Sequence, residues 1–395
     1  MISQVQVQFP SSARLWTAVI AVMVLSSTAL ACGGAAPAAQ TDPTIVEVTR
    51  VVEQPGPEVT REVQVEVTRE VPVEVTRVTT DPAAAGDPGK LVIYSGRSES
   101  LVDPIIQQFK GATGIDVQVK YAGTAALAAT LLEEGKNSPA DVFYAQDPGG
   151  LAAVSQIMTV LPTDILELAP EWARSEEGRW LGITGRARVV VYGTDNLTEQ
   201  DLPDDLWGFT EPEWKGRVGW APTNGSFQAM VTALRVGWGE ERTEAWLRAM
   251  IDNDVTHYPK NTPQVAAAAA GEIDVGLVNH YYLYRFLAEE GEDFPARNAH
   301  LRAGGPGSIV LVSGAGILET ADNPENAEAF IRFLLSSVGQ QYFAGQTFEY
   351  PMVDGVRPSI LLTPLHEIAQ PEITLPDLAD LAGTQELLQK VGALP

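Results

Sequence analysis

Residues 91–144 alternate two hydrophobic periods, and this alternation restricts the fold more than any other feature of the chain. Leu91-Val92-Ile93-Tyr94 is a continuous apolar run suited to a buried strand, and Ser95-Gly96 turns the chain. Ser98 stands where a helix N-cap belongs, ahead of Leu101, Ile105, Ile106 and Phe109 at helical spacing, and Gly114 stops the helix. Ile115, Val117, Val119 and Tyr121 then alternate as a strand. A helix over 125–134 ends at Gly135, and Asp141-Val142-Phe143-Tyr144 is the next strand. A β-α-β-α-β order implies a parallel sheet with right-handed crossovers, whose ligands lie beyond the carboxyl ends of the strands. Residues 95–98 and 145–147 therefore face one crevice.

The preceding residues read differently. Arg14 precedes an apolar run at 15–25, then small residues at 26–31, then Cys32. The run is too short to span a membrane and has the layout of a secretory signal over 1–31. Cys32 is the only cysteine of the chain, and its position resembles that of the lipid-modified cysteine of a bacterial lipoprotein. An ordinary cleaved signal with an incidental cysteine is the alternative. A lipidated Cys32 would tether the chain to the outer face of a membrane. From 32 to 89, Glu-Val-Thr-Arg recurs at 47–50, 58–61, 66–69 and 74–77 among interspersed prolines. Valine alternates there with charge, with no apolar face wide enough for a core, which reads as an extended stalk. A β-ribbon or self-associating arm is the competing reading.

The body, 90–395, is long enough for one large or two medium domains. It carries most of a formal net charge of −25, so phosphate backbones and anionic membrane surfaces repel it, and nucleic acid is excluded as a partner. No nucleophile elbow, phosphate-binding loop, dinucleotide fingerprint or His-Glu-x-x-His motif is present: Ser313 precedes Gly314 and Gly316, but Leu311 stands where the leading glycine of an elbow belongs. A binding module that performs no catalysis accounts for this.

Deep in the body, Tyr281 and Tyr282 follow the strand-like run 273–278. Ionising a phenol at pH 7 costs about 4 kcal/mol, so two adjacent phenolates need a strong local positive charge such as a hard trivalent cation. Core packing is the plainer reading, since Tyr284 and Phe286 continue the aromatic run; extended alternation would then bury one phenol of the pair. His280 is read as a hydrogen-bonded structural side chain. His257, His300 and His366 stand singly, without zinc spacing.

Seven segments, at 91–96, 138–144, 185–192, 214–217, 222–227, 271–274 and 279–282, fall in an order and spacing that resemble the iron(III) solute-binding proteins of bacterial ABC importers. They include Ser138-Pro139-Ala140-Asp141, Trp214-Lys215-Gly216-Arg217, Gly271-Glu272-Ile273-Asp274 and Asn279-His280-Tyr281-Tyr282. The resemblance spans about 90–355. It implies an α/β fold of the two-lobed, type II periplasmic-binding-protein kind, with hinge strands and a central ligand cleft that closes over its cargo. One lobe would hold 90–190 plus about 312–362, and the other 191–311 plus about 363–395. Runs 185–192 and 308–313 would form the crossings.

The resemblance also assigns roles. Tyr281 and Tyr282 match the family's two iron-ligating tyrosines. Ser98 stands where the family often has a histidine ligand, and Gln146 where it often has a glutamate; both are poor donors to Fe(3+). Tyr144, Gln146 and Asp147 are weaker metal candidates. A synergistic anion, carbonate, phosphate or citrate, would fill the remaining positions. The helix start at Asn224, Gly225 and Ser226 would hold it, with Arg97, Ser98, Arg186, Asn261 and Asn279. Of Arg186 and Arg188, one is expected in the cleft and the other in a surface ion pair. The function implied is extracytoplasmic, lipid-anchored and monomeric capture of ferric ion or a ferric chelate, for an ABC permease and its ATPase. The alternatives are the same fold binding an organic phosphate or phosphonate, and a stalked surface interaction or sensor protein.

Overall fold

The computed structural model describes residues 88–395. The signal segment, Cys32 and the four Glu-Val-Thr-Arg repeats lie outside the described residues. The strands are β1 (Lys90–Ser95), β2 (Asp116–Tyr121), β3 (Val142–Ala145), β4 (Leu181–Gly193), β5 (Val218–Trp220), β6 (Thr256–His257), β7 (Val275–Asn279), β8 (Ala296–Ala299), β9 (Val310–Ile317) and β10 (Tyr350–Pro351). As the alternation requires, β1 pairs in parallel with β2 on one side and β3 on the other. The first crossover helix, Glu99–Thr113, buries Leu101, Ile105, Ile106 and Phe109, and Gly114 closes it in the left-handed conformation at φ 76°. Only glycine takes that conformation without strain from a Cβ.

β4 joins the two halves of the body. Its first half pairs antiparallel with β9, from Leu181↔Ala315 to Ala187↔Val310, and carries β10 on its other edge. From Arg188 onward it pairs instead with β7 and β8. All thirteen residues of β4 are buried, and its small and β-branched side chains are interrupted by Arg186 and Arg188. Two hydrophobic cores form around it. One gathers Ile93, Leu101, Phe109, Phe143 and Phe330; the second is drawn from 190–301 and 387–393, with Trp220, Phe227, Trp246 and Leu388 at its centre. Burying each such aromatic side chain contributes about 2–3 kcal/mol before chain entropy is subtracted. The last helix, Leu381–Lys390, joins the second core through Leu388 and a 2.7 Å Thr232–Thr384 hydroxyl pair.

One expectation about β4 is corrected. Arg186 and Arg188 do not divide between cleft and surface: both are buried, and among the described residues neither makes an ion pair. Residues two apart on a strand lie on one face, so the pair points the same way by construction.

Candidate metal centre and anion site

The crevice beyond the strand ends is a cleft of about 480 Å³. Gly96, Arg97, Ser98, Thr124 and Gln146 line one wall, and Asn224, Gly225, Lys260 and Tyr282 the other. Strand-to-helix turns feed it; the one after β1 was legible as a turn, whereas the chain after β7 read as extended. The second wall rests on two such turns, after β5 and after β7.

The tyrosines do not continue a strand. β7 stops at Asn279, His280 takes helical dihedrals, and a helix runs over Tyr281–Glu290. The alternation argument for burying one phenol therefore fails, because both rings are buried at the helix start, with centroids 4.3 Å apart and planes tilted by 31°. Among the described residues the Tyr281 hydroxyl has no hydrogen-bond partner, and neither does that of Tyr144, which is also fully buried. Tyr282 is held well above the ordinary phenol range, first by burial and then by Tyr281 beside it, while Arg97 pulls the other way. Tyr144 is raised mainly by burial. Buried phenols without partners are neutral, under-satisfied donors, and a cation that displaces their protons would relieve both conditions.

His280 fixes this wall in place. Its Nδ1 accepts from the Ala187 amide at 3.1 Å, and its Nε2 donates to the Phe348 carbonyl at 2.8 Å. Both ring nitrogens are thus committed, and burial pushes the imidazole down to about 3, so it stays neutral at physiological pH. One side chain ties the tyrosine pair to the strand bearing Arg186 and Arg188 and to the loop bearing Glu349. Phe348 holds an unusual φ of 55° in that loop.

Three guanidiniums converge here, each no more than 2 % exposed. Arg97 pairs with the buried carboxylate of Glu349, which also accepts from Thr184. Burial opposes the charge on Arg97, but Glu349 together with Tyr281, Tyr144 and Tyr282 outweighs it. Arg97 lies 5.8 Å from the Tyr281 ring centre. Arg186 donates to the Val312 carbonyl at 2.9 Å and leaves Nε and Nη1 without partners. Arg188 donates to Asn279 Oδ1 at 2.9 Å and to the Leu277 carbonyl at 2.8 Å, and burial together with Arg186 pushes it down to about 9. A buried guanidinium without a counter-charge costs several kcal/mol, so the arrangement favours an anionic occupant.

The expected anion loop opens a helix. Asn224 is the N-cap of Gly225–Trp238, its side chain accepts from the Ser226 amide at 3.1 Å, and the Asn261 amide donates to it at 3.3 Å. Gln146 reaches across the cleft, its amide 3.5 Å from Asn224 Oδ1 and 3.4 Å from Ser226 Oγ. Asp147 caps the short helix Pro148–Ala153 through a 2.9 Å bond from the Gly150 amide. Its other oxygen, Oδ2, is buried without a partner. Ser98 is the N-cap residue of Glu99–Thr113 but makes no capping hydrogen bond. Asn279 leaves its own amide nitrogen unpartnered. Glu349 is a residue of this site that is absent from the sequence-based candidates. A carboxylate between Phe348 and Tyr350 in an apolar run was the available signal.

Residues 137–364 match the family described as bacterial extracellular solute-binding protein. The Fe(3+)-binding periplasmic protein of Serratia marcescens is 35 % identical over 79 % of this chain and 93 % of its own length. Iron-bound HitA from Pseudomonas aeruginosa has a TM-score of 0.74 at 34 % identity, over 77 % of this chain and 100 % of that one. A Trichodesmium IdiA (FutA) structure in complex with iron and citrate has a TM-score of 0.64 at 28 % identity, over 77 % of this chain and 99 % of that one.

Proposed function

The chain belongs to the bacterial extracellular solute-binding proteins, in their two-lobed type II fold, and from that membership we propose that its cleft captures ferric iron for delivery to an ABC importer. The carrying observation is the pair of buried phenols at 281–282, one of them with an unpartnered hydroxyl, beside guanidiniums that need negative charge. Fe(3+) prefers hard anionic oxygen donors, and it would convert both phenols to phenolates as it binds, releasing their protons. The phenolates then serve as counter-charges to Arg97, Arg186 and Arg188. Two donors leave coordination positions open. An anion such as carbonate, phosphate or citrate fills them, held by the helix start at Asn224, Gly225 and Ser226 and by Arg186.

In this reading the open lobes admit iron with its anion, closure completes the site, and the closed form docks on the permease and its ATPase. The cargo can drive closure only through its higher affinity for the closed form. The chain acts as a monomer tethered outside the cell through Cys32 and the stalk. A second reading, an organic phosphate or phosphonate without metal, is favoured by one observation: the two unpartnered nitrogens of Arg186 would suit a phosphate on their own.

Metal analysis with a visible spectrum of the purified protein separates the two. Tyrosinate bound to Fe(3+) gives a charge-transfer colour, so iron near one equivalent with that band is the expected result. Colourless protein in excess ferric citrate, with a phosphate ester bound instead, would establish the second reading.

A further inference from the structure

We propose that a second groove, apart from the cleft, binds a small organic cation: an alkylammonium head on the indole of Trp172, with the carboxylates of Glu171 and Glu176 as its counter-charges. The inference does not depend on the ferric reading. The groove has a volume of about 690 Å³, within the range of small-molecule sites, and no residue lines both it and the cleft. Residues within 166–178 and 370–376 form it with Val310, which pairs with Ala187 just before β4 leaves β9 for β7. Trp172 also lines a smaller hollow of about 360 Å³, so the indole borders two open spaces.

The lining selects the occupant. Trp172 is 49 % exposed, the one exposed tryptophan among the described residues. Elsewhere in the chain indoles carry a cation: Arg242 lies over both Trp207 and Trp238, and Arg217 over Trp214. Trp172 has neither ring nor cation against it among the described residues, so the negative face of its π system is free to take one. Glu171 and Glu176 make no ion pair there either. Arg179 pairs with Glu177 and Glu319 instead, and Arg174, which also lines the groove, donates to the Ala169 carbonyl at 2.8 Å. Leu166, Ile373 and Leu375 supply apolar lining, which suits the carbon body of an organic cation and not a hydrated metal ion. Among the described residues no group of three acids, histidines or cysteines is placed to hold a metal. The formal net charge of −25 raises the local concentration of cations. A protein partner needs a contact surface several times what such a groove offers, so the occupant is a free small molecule.

The test is calorimetry on the full, iron-free chain with choline and spermidine as probes. At least one should bind at one equivalent, more weakly as sodium chloride is added. Trp172→Ala should weaken that binding by about tenfold or more, and Trp172→Phe, which keeps a π face, by less than about threefold. Glu171→Gln combined with Glu176→Gln should weaken it by about tenfold. If Trp172→Ala does not fold, Trp172→Leu, which keeps apolar bulk without the π face, carries the same expectation. No binding of either probe, or binding as tight in Trp172→Leu as in the parent, overturns the proposal. Binding of a lysine-rich peptide but of neither small cation overturns it as well, and assigns the groove to a protein partner. Ferric titration should be unchanged in every variant, because none of these residues lines the cleft; a parent that takes up no iron sinks the ferric reading alone.

Discussion

The two walls of the cleft differ in kind. The wall after β5 and β7 carries the proposed donors: two phenols at one helix start, the capped turn at Asn224 at another, and an imidazole that locks the phenols to β4. The wall after β1 and β3 carries Ser98 and Gln146, and Gln146 contacts the opposite wall. Under the proposed function, the difference amounts to a division of labour in which one wall binds and the other closes. Arg97 belongs to the closing wall by position, yet it is tied by Glu349 into the centre of the site.

The division can be broken at its most strongly held point first. Glu349→Gln leaves Arg97 buried without its counter-charge, and about 3 kcal/mol of unfolding free energy should be lost in denaturant titration. A loss under 1 kcal/mol would mean that Arg97 swings out and is no fixed part of the site. Acid should act next, through His280. Its folded value near 3 lies below the ordinary 6.5, so the unfolded chain binds the extra proton. Stability is therefore fully present above about 6.5 and falls with decreasing pH, by up to about 1.4 kcal/mol per unit, until the folded value is reached. His280→Asn should flatten that slope in pH-dependent melting; an unchanged slope would assign it to other groups.

Closure itself is sharpened by Gly225→Ala, which places a methyl group against Asp147. Overpacking of this kind costs about 1–3 kcal/mol, so iron affinity should fall roughly tenfold and small-angle scattering should report a more open protein with iron present. The smallest effects are expected at the substituted ligand positions. Ser98→Ala removes a hydroxyl that caps nothing, and Gln146→Ala removes two long contacts, so iron affinity should change less than about fivefold in either. Loss of the visible band in either variant would show that this wall supplies a donor after all.

Much of this was legible in the chain. The parallel β1–β3 unit and its Gly114 stop follow from hydrophobic period and glycine chemistry, which are local, while the helix start at Asn224 came only with the family resemblance. The tyrosine pair and its neighbours were found through ordered motifs. What escaped depends on approach across the fold. Glu349 meets Arg97 from 252 positions away, a separation no spacing argument spans. Asp147 was weighed as a stand-in metal ligand, whereas the chain places its free oxygen on Gly225 of the opposite wall. The Arg186–Arg188 error was of another sort, since the two-residue strand period already required one shared face.

The most direct measurement of the central claim is a ferric citrate titration, followed by visible absorption, of the parent and of Tyr281→Phe and Tyr282→Phe. The parent should develop a tyrosinate-to-iron band saturating at one equivalent. Each single variant should lose much of its intensity and about a hundredfold in affinity, equivalent to ~2.7 kcal/mol. A band of the same intensity and affinity in Tyr281→Phe would contradict the account, because the phenol left buried without a partner would then have no part in holding iron.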